Sequence, residues 1–285
     1  RKDNKFGTAD WYMYSQRSFM KFTGKDMKFS EITADWLKRY EAHMVKNDKS
    51  YTTISMFQRA LQVIVNEGRK KGYITNQQYP YGKYQIPESE GRKMALTLSQ
   101  IGEILKYPLT NRNSRMSRDL WYFSYLCQGI NIIDLCHLKY SNIKNGEIRW
   151  YRIKTLNRSK HKREIAATLL PEMQKIIDEW GNKEGYIFPI LSEGLSAKEE
   201  MRLVKKMTTV INIRMSNIGK KLGYGNVSTY TARHSYATVS KRAGVNIAYI
   251  SESLGHSNVE ITETYLDSFE SDERLKNAKK LIPQE

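Results

Sequence analysis

Residues 230–265 read YTARHSYATVSKRAGVNIAYISESLGHSNVEITETY, and the rest of the chain is arranged around this stretch. It holds Arg233, then Leu-Gly-His ending at His256, then Tyr265 nine residues later. Ser228, Thr229 and Thr231 are candidate N-caps for a first helix, which carries Tyr236, Val239 and Ala243 at helical spacing and stops at Gly244. Ile247, Ile250 and Leu254 mark a second short helix, closed by Gly255 in the usual C-terminal glycine position. His256 therefore follows a helix end on a tight turn. Ser257 and Glu260 fit a capping box, so a third helix is expected to carry Ile261, Tyr265 and Phe269. Folding of these turns is expected to bring an arginine, a histidine and a tyrosine toward one place. Such a set binds phosphate around a phenolic nucleophile.

RHSYAT, then LGHSN, then a tyrosine after Thr-Glu-Thr resemble the C-terminal signature of the tyrosine recombinases, the phage and transposon integrases. The wording is most similar to the integrases of Bacteroides-type mobile elements. The combined spacing is specific where each piece alone is weak.

Composition agrees with a DNA partner. The 285 residues carry a net charge of +17. Residues 1–94 hold 18 basic and 10 acidic groups, and residues 95–285 hold 29 and 20, so both halves are positive. Such a balance favours a polyanion. Mean hydropathy is −0.64 and no run approaches a membrane span, so no membrane partner is expected. Cys127 and Cys136 read as reduced core residues of an intracellular protein. No Walker-type glycine loop and no metal-spaced His/Cys/Asp cluster is present, so neither nucleotide hydrolysis nor a metal is expected. The chain begins at Arg1 without Met, which leaves open whether an arm-binding domain precedes it.

Taken in order, residues 8–22, 31–45 (after Ser30) and 51–71 read as helices. Ile32, Trp36, Leu37 and Tyr40 are expected to face inward in the second. Ile54, Phe57, Leu61, Ile64 and Val65 form the stripe of the third, with Arg59, Arg69, Lys70 and Lys71 off it and Gly72 at its end. Residues 80–94, with two prolines and two glycines, have linker composition. The expected division is a domain at 1–88, a linker at 89–96 and a second domain at 97–285. That second domain opens with a capping box at Thr97 and Gln100 and a helix to Lys106, followed by an apolar helix at 115–128. EIRWYRIK (147–154) alternates like a strand, with KREIAAT (162–168) as its return. Residues 152–163 between them hold six Lys or Arg and no acid. Pro171 opens a helix to Trp180, YIFPI (186–190) reads as buried, a long helix covers 198–222, and residues 272–282 suit an amphipathic tail helix.

The resemblance implies a mainly α fold with a small β-sheet: a helical, SAM-like core-binding domain and an α+β tyrosine-recombinase catalytic domain. It implies Tyr265 as nucleophile, Arg233 and His256 on the scissile phosphate, and Lys154 as general acid. Tyr230 stands where the family more often has histidine, and Asn131 stands where it has its first arginine, with Asp134 in the following acidic place. A neutral amide cannot replace the bidentate charged clamp of a guanidinium, so Arg112, Arg115, Arg118 and His137 become candidates to compensate. Arg152, Arg158, Lys160, Lys162, Arg59 and Lys70 read as DNA contacts, and His234 as structural. The implied activity is site-specific recombination through a 3′-phosphotyrosine intermediate, without cofactor, by a bacterial protein of the cytoplasm and nucleoid. The implied assembly is a homotetramer on double-stranded attachment sites, joined through the tail, with room for a host DNA-bending factor. A DNA-binding module with weakened catalysis, motivated by Asn131, and a type IB topoisomerase are the alternatives.

Overall fold

The computed structural model describes residues 6–88, 94–156, 163–256, 258–263 and 279. Tyr265, Arg158, Lys160, Lys162, Ser257, Phe269 and all of the expected tail helix except Lys279 lie outside them. The chain divides into two compact units, Arg1–Arg92 and Lys93–Glu285.

The first unit is helical: α1 (Phe6–Thr23), α2 (Ala34–Lys46) and α3 (Tyr51–Lys70). Phe19, Trp36, Leu37, Tyr40, Met44, Ile54, Leu61 and Val65 share its core. Trp36 and Tyr40, one helical turn apart, stack with centroids 5.5 Å apart, and Tyr40 meets Ser18 Oγ at 2.7 Å. That satisfied hydroxyl is buried enough to push its pKa up to about 12. The second helix begins later than its sequence suggests. A 3-10 turn occupies Phe29–Glu31, and Thr33, not Ser30, caps α2 by accepting from Trp36 N at 3.2 Å. Ile64 is 41 % exposed, because Ile54, Leu61 and Val65 centre the stripe and leave it at the margin. Part of the linker-like stretch also packs here: Tyr81 donates to Gln58 O at 3.1 Å and Tyr84 to Glu41 Oε2 at 2.6 Å.

The second unit starts with α4 (Leu98–Lys106), closed by the Thr97–Gln100 capping box, and α5 (Arg112–Leu126), capped by Asn111. Short α6 (Ile132–Cys136) leads to a three-stranded antiparallel sheet in the order β1-β2-β3: β1 (Ile143–Lys144), β2 (Glu147–Tyr151) and β3 (Glu164–Thr168). Trp150 lies opposite Ile165, and Ile148 opposite Ala167, on the buried face. The strand expected over 147–154 ends at Tyr151, and Ile153–Leu156 forms a helical turn, α7. Then follow α8 (Pro171–Trp180), α9 (Ala197–Lys221), α10 (Thr229–Arg242), α11 (Ile247–Ser253) and α12 (Val259–Glu263). Helix α5 runs through the middle and packs against α8, α9 and α10. Its Leu120, Trp121 and Phe123 are fully buried; Trp121 Nε1 donates to Ser228 O at 2.8 Å, and Phe123 meets Phe188 edge-on at 5.1 Å. Cys127 and Cys136 are buried thiols, the latter pushed up to about 12 by burial. The chain entering this unit is tied to α10, since Leu96 N donates to Ser235 Oγ at 2.8 Å. In α12 the buried residue is Thr262; Ile261 is 39 % exposed.

Candidate active site

The site forms where α10, the α11 C-terminus, the end of β2 and the α5–α6 turn meet. Ser228 caps α10 through a capping box with Thr231, which fixes the turn that carries Arg233. Arg233 is only 4 % exposed, a state a guanidinium tolerates only when it is hydrogen-bonded. Its Nη1 donates to Gly129 O at 2.8 Å, and its Nη2 donates to Leu254 O and, at 3.2 Å, to His256 Nε2. Gly129 has a φ of +68°, and a Cβ there would stand 2.9 Å from Arg233 Cα. Glycine is therefore required both for the turn and for the approach.

His256 follows the α11 terminus, where Gly255 takes a φ of +62° and His256 N donates to Ser251 O at 3.0 Å. Arginine has donors only, so Nε2 is the acceptor toward Arg233 and the ring proton sits on Nδ1. Nδ1 donates to Thr262 Oγ1 at 2.9 Å. Burial, then the charges of Arg233 and Arg152, depress the imidazole to a pKa of about 3, so it is neutral at physiological pH. With both nitrogens engaged, the described arrangement has His256 orienting Arg233; its one N–H is committed to Thr262.

Arg152 follows β2 and reaches the same place. Its Nη1 donates to Gly255 O at 2.8 Å and Leu254 O at 3.2 Å. Asp134 on α6 is 3 % exposed, and its Oδ1 accepts from Ile153 N at 2.9 Å. Burial raises its pKa, opposed by that hydrogen bond, the Arg152 charge, a hydrogen bond from Asn131 and the Arg233 charge. Asn131 caps α6 without a side-chain capping bond. Lys154, on α7, is exposed, and among the described residues no hydrogen bond or ion pair holds its ammonium.

The structure thus gathers Arg233, His256, Asn131, Asp134 and Arg152. Tyr230, three residues before Arg233 on α10, is 55 % exposed, with its ring 5.6 Å from that of His234. The candidates to compensate for Asn131 are engaged away from the cluster. Arg112 and Arg115 lie over Trp180 at 5.1 and 6.0 Å, Arg118 donates to Leu105 O and Tyr107 O, and His137 faces Glu200 at 3.6 Å. Arg59 and Lys70 are exposed on α3 of the first unit, Lys70 beside Glu67 at 2.9 Å. Sequence reasoning missed Thr262 and Gly129, whose parts depend on contacts across 6 and 104 residues. No group of His, Cys, Asp or Glu able to hold a metal occurs among the described residues. None of their helices is long and apolar enough to cross a membrane.

Comparison with known proteins agrees with this architecture. Residues 95–272 match the phage integrase family, and residues 1–86 match the phage integrase SAM-like domain. The tyrosine recombinase XerA of Pyrococcus horikoshii is 25 % identical over 272 residues, covering 82 % of this chain and 89 % of that protein. Among solved structures, the Tn1549 transposon integrase in complex with transposon right end DNA has a similar fold (TM-score 0.69, 15 % identity, covering 97 % of this chain and 94 % of that one). So does a lambda integrase tetramer bound to a Holliday junction (TM-score 0.66, 18 % identity, 94 % and 74 % covered). The fold is a SAM-like helical domain joined to a mainly helical catalytic domain with a small sheet, and the chain belongs to the phage integrase family: it is a tyrosine-type site-specific recombinase.

Proposed function

We propose that the chain cuts and rejoins double-stranded DNA with Tyr265 as nucleophile and Arg233 as a clamp on the scissile phosphate. The observation that carries this is the buried Arg233 guanidinium, fixed by Gly129 O, Leu254 O and neutral His256. A preorganised cation of this kind stabilises charge that develops on a phosphoryl oxygen, with little reorganisation during the reaction. Thr262, which holds the histidine, lies three residues before Tyr265.

In the first step the Tyr265 oxygen forms a bond to phosphorus and its phenolic proton passes to water. The bond from phosphorus to the 5′ oxygen breaks, and that oxygen takes a proton from Lys154. The product is a 3′-phosphotyrosine and a free 5′ hydroxyl. Attack by the 5′ hydroxyl of a second strand reverses these changes and releases the tyrosine. The phosphodiester energy is kept in the covalent bond, so the sequence of steps needs no nucleotide. Four protomers on two attachment sites, with tails exchanged, accomplish strand exchange in pairs. The lambda integrase tetramer on a Holliday junction supports that assembly by analogy of fold. The basic first unit, with Arg59 and Lys70, and the basic segment 152–163, with Arg158, Lys160 and Lys162, supply backbone contacts.

The test is covalent trapping on a nicked suicide substrate. Wild-type protein is expected to form a denaturant-resistant adduct. Tyr265→Phe is expected to bind the same DNA and form none. An adduct with that variant overturns the assignment of the nucleophile.

A further inference from the structure

We propose that Arg152 is the second phosphate-binding guanidinium of the active site, taking the function left open at Asn131, with Asp134 as its positioning residue. The inference rests on the recombinase reading above and names a residue that this reading leaves among general DNA contacts.

Four observations converge on it. Arg152 and Arg233 donate to one acceptor, Leu254 O, so the two guanidinium groups lie within the span of two hydrogen bonds through a single oxygen. Each arginine is also cradled by a glycine at positive φ. A Cβ on Gly129 would meet the side chain and backbone of Arg233, and a Cβ on Gly255 would stand 2.5 Å from Arg152 Cδ. Both charges act on the His256 imidazole, and both act on the Asp134 carboxylate. Finally, Asp134 fixes the backbone one residue after Arg152 by accepting from Ile153 N at 2.9 Å.

The chemistry requires this. A phosphoryl group in transfer spreads charge over its non-bridging oxygens, and paired guanidinium groups match those oxygens with charge-assisted hydrogen bonds. One fixed arginine meets part of that demand, and neutral His256 adds no charge. Among the basic groups considered as replacements, Arg112, Arg115, Arg118 and His137 are occupied elsewhere. Arg152 is half-buried beside Arg233, on the chain two residues before Lys154. It comes from the end of β2, not from the α5–α6 turn, and so approaches the shared position from the sheet.

The test compares the full chain with Arg152→Ala and Arg152→Lys on suicide substrates. One carries the natural scissile phosphate and the other a methylphosphonate, which lacks the negative charge that a guanidinium would neutralise. Melting curves and duplex binding by each variant establish folding. On the phosphodiester, Arg152→Ala is expected to cleave at least a hundredfold more slowly than wild type, with DNA affinity within a few-fold. On the methylphosphonate its deficit is expected to shrink to tenfold or less. Arg152→Lys is expected to lie between, since the ammonium keeps the charge and loses the fork. Asp134→Asn is expected to show the same substrate-dependent deficit in milder form. Equal losses of Arg152→Ala on both substrates would assign Arg152 to holding the 254–255 turn and overturn the proposal. So would a loss below tenfold on the phosphodiester. Absence of any adduct with wild-type protein refutes instead the recombinase chemistry on which the proposal stands, so the two failures are distinct.

Discussion

Arg233 and His256, 23 residues apart in sequence, meet at 3.2 Å with the histidine as acceptor. The direction of that bond follows from the arginine, which has no acceptor, and it dictates the rest. The imidazole must be neutral, its proton must lie on Nδ1, and Thr262 must take it.

A pH dependence follows. The unfolded chain takes up the His256 proton below about pH 6.5, and the folded chain only near about 3. A depressed folded-state pKa means that the unfolded state binds more protons in this window, so stability rises with pH and is lost as the pH falls. The contribution is complete above pH 6.5 and is lost progressively toward pH 3. Urea unfolding at pH 7.5 and 5.5 should show wild type losing about 1.4 kcal/mol more than His256→Gln over that interval. Equal losses in the two proteins would contradict the neutral histidine.

Gly129→Ala places a methyl group where Arg233 stands and asks alanine to adopt a φ of +68°. The strain costs about 1–2 kcal/mol, and displacement of the guanidinium is the larger effect. Cleavage on a suicide substrate should fall on the order of 100-fold, while DNA binding stays near wild type. Normal cleavage would show that the arginine relaxes without penalty.

Lys154 on the exposed α7 turn is assigned the proton given to the leaving oxygen. Lys154→Ala should slow cleavage by roughly 10²–10⁴-fold. A substrate with sulfur in place of the 5′ bridging oxygen has a leaving group that needs no proton. With it, the variant should cleave at close to the wild-type rate. Persistence of the full defect would assign Lys154 to phosphate binding.

Arg59 and Lys70 lie on the exposed face of α3 and are assigned to the DNA backbone. Replacing each with alanine should weaken binding to all duplexes alike and reduce the slope of log K against log salt by about 1 per residue. A change confined to one DNA sequence would point to base contact instead.

Phe188 is fully buried edge-on to Phe123, and both were legible as apolar sequence. Phe188→Ala should destabilise the catalytic unit by about 3–5 kcal/mol, measured by chemical unfolding.

Much of this architecture could be read from the chain because amphipathic helices announce themselves. The stripe of α3, the capping box at Thr97 and the proline at the start of α8 are local signals, and each marks the element it begins or lines. Departures occur where a distant group intervenes. Alternation through EIRWYRIK suggests a strand to residue 154, yet the Ile153 N–H goes to Asp134, 19 residues away, and the chain coils there instead. The β1–β2 hairpin was missed despite Asn145-Gly146, both at positive φ, a pair that favours a two-residue turn. Only two residues of β1 precede it, too few to show alternation. At the site, the motif residues Arg233 and His256 stand out in sequence. The position of Arg152 does not, because its contacts with Leu254 and Gly255 span 102 and 103 residues.

The bond from Leu96 N to Ser235 Oγ has a mechanical consequence. Ser235 is two residues beyond Arg233 on the same rigid helix, and Leu96 is 2 % exposed, so neither end yields easily. The point where the chain enters the catalytic unit is therefore anchored on the same helix as Arg233, and a change at Leu96 or Ser235 is felt first by the element that carries the arginine.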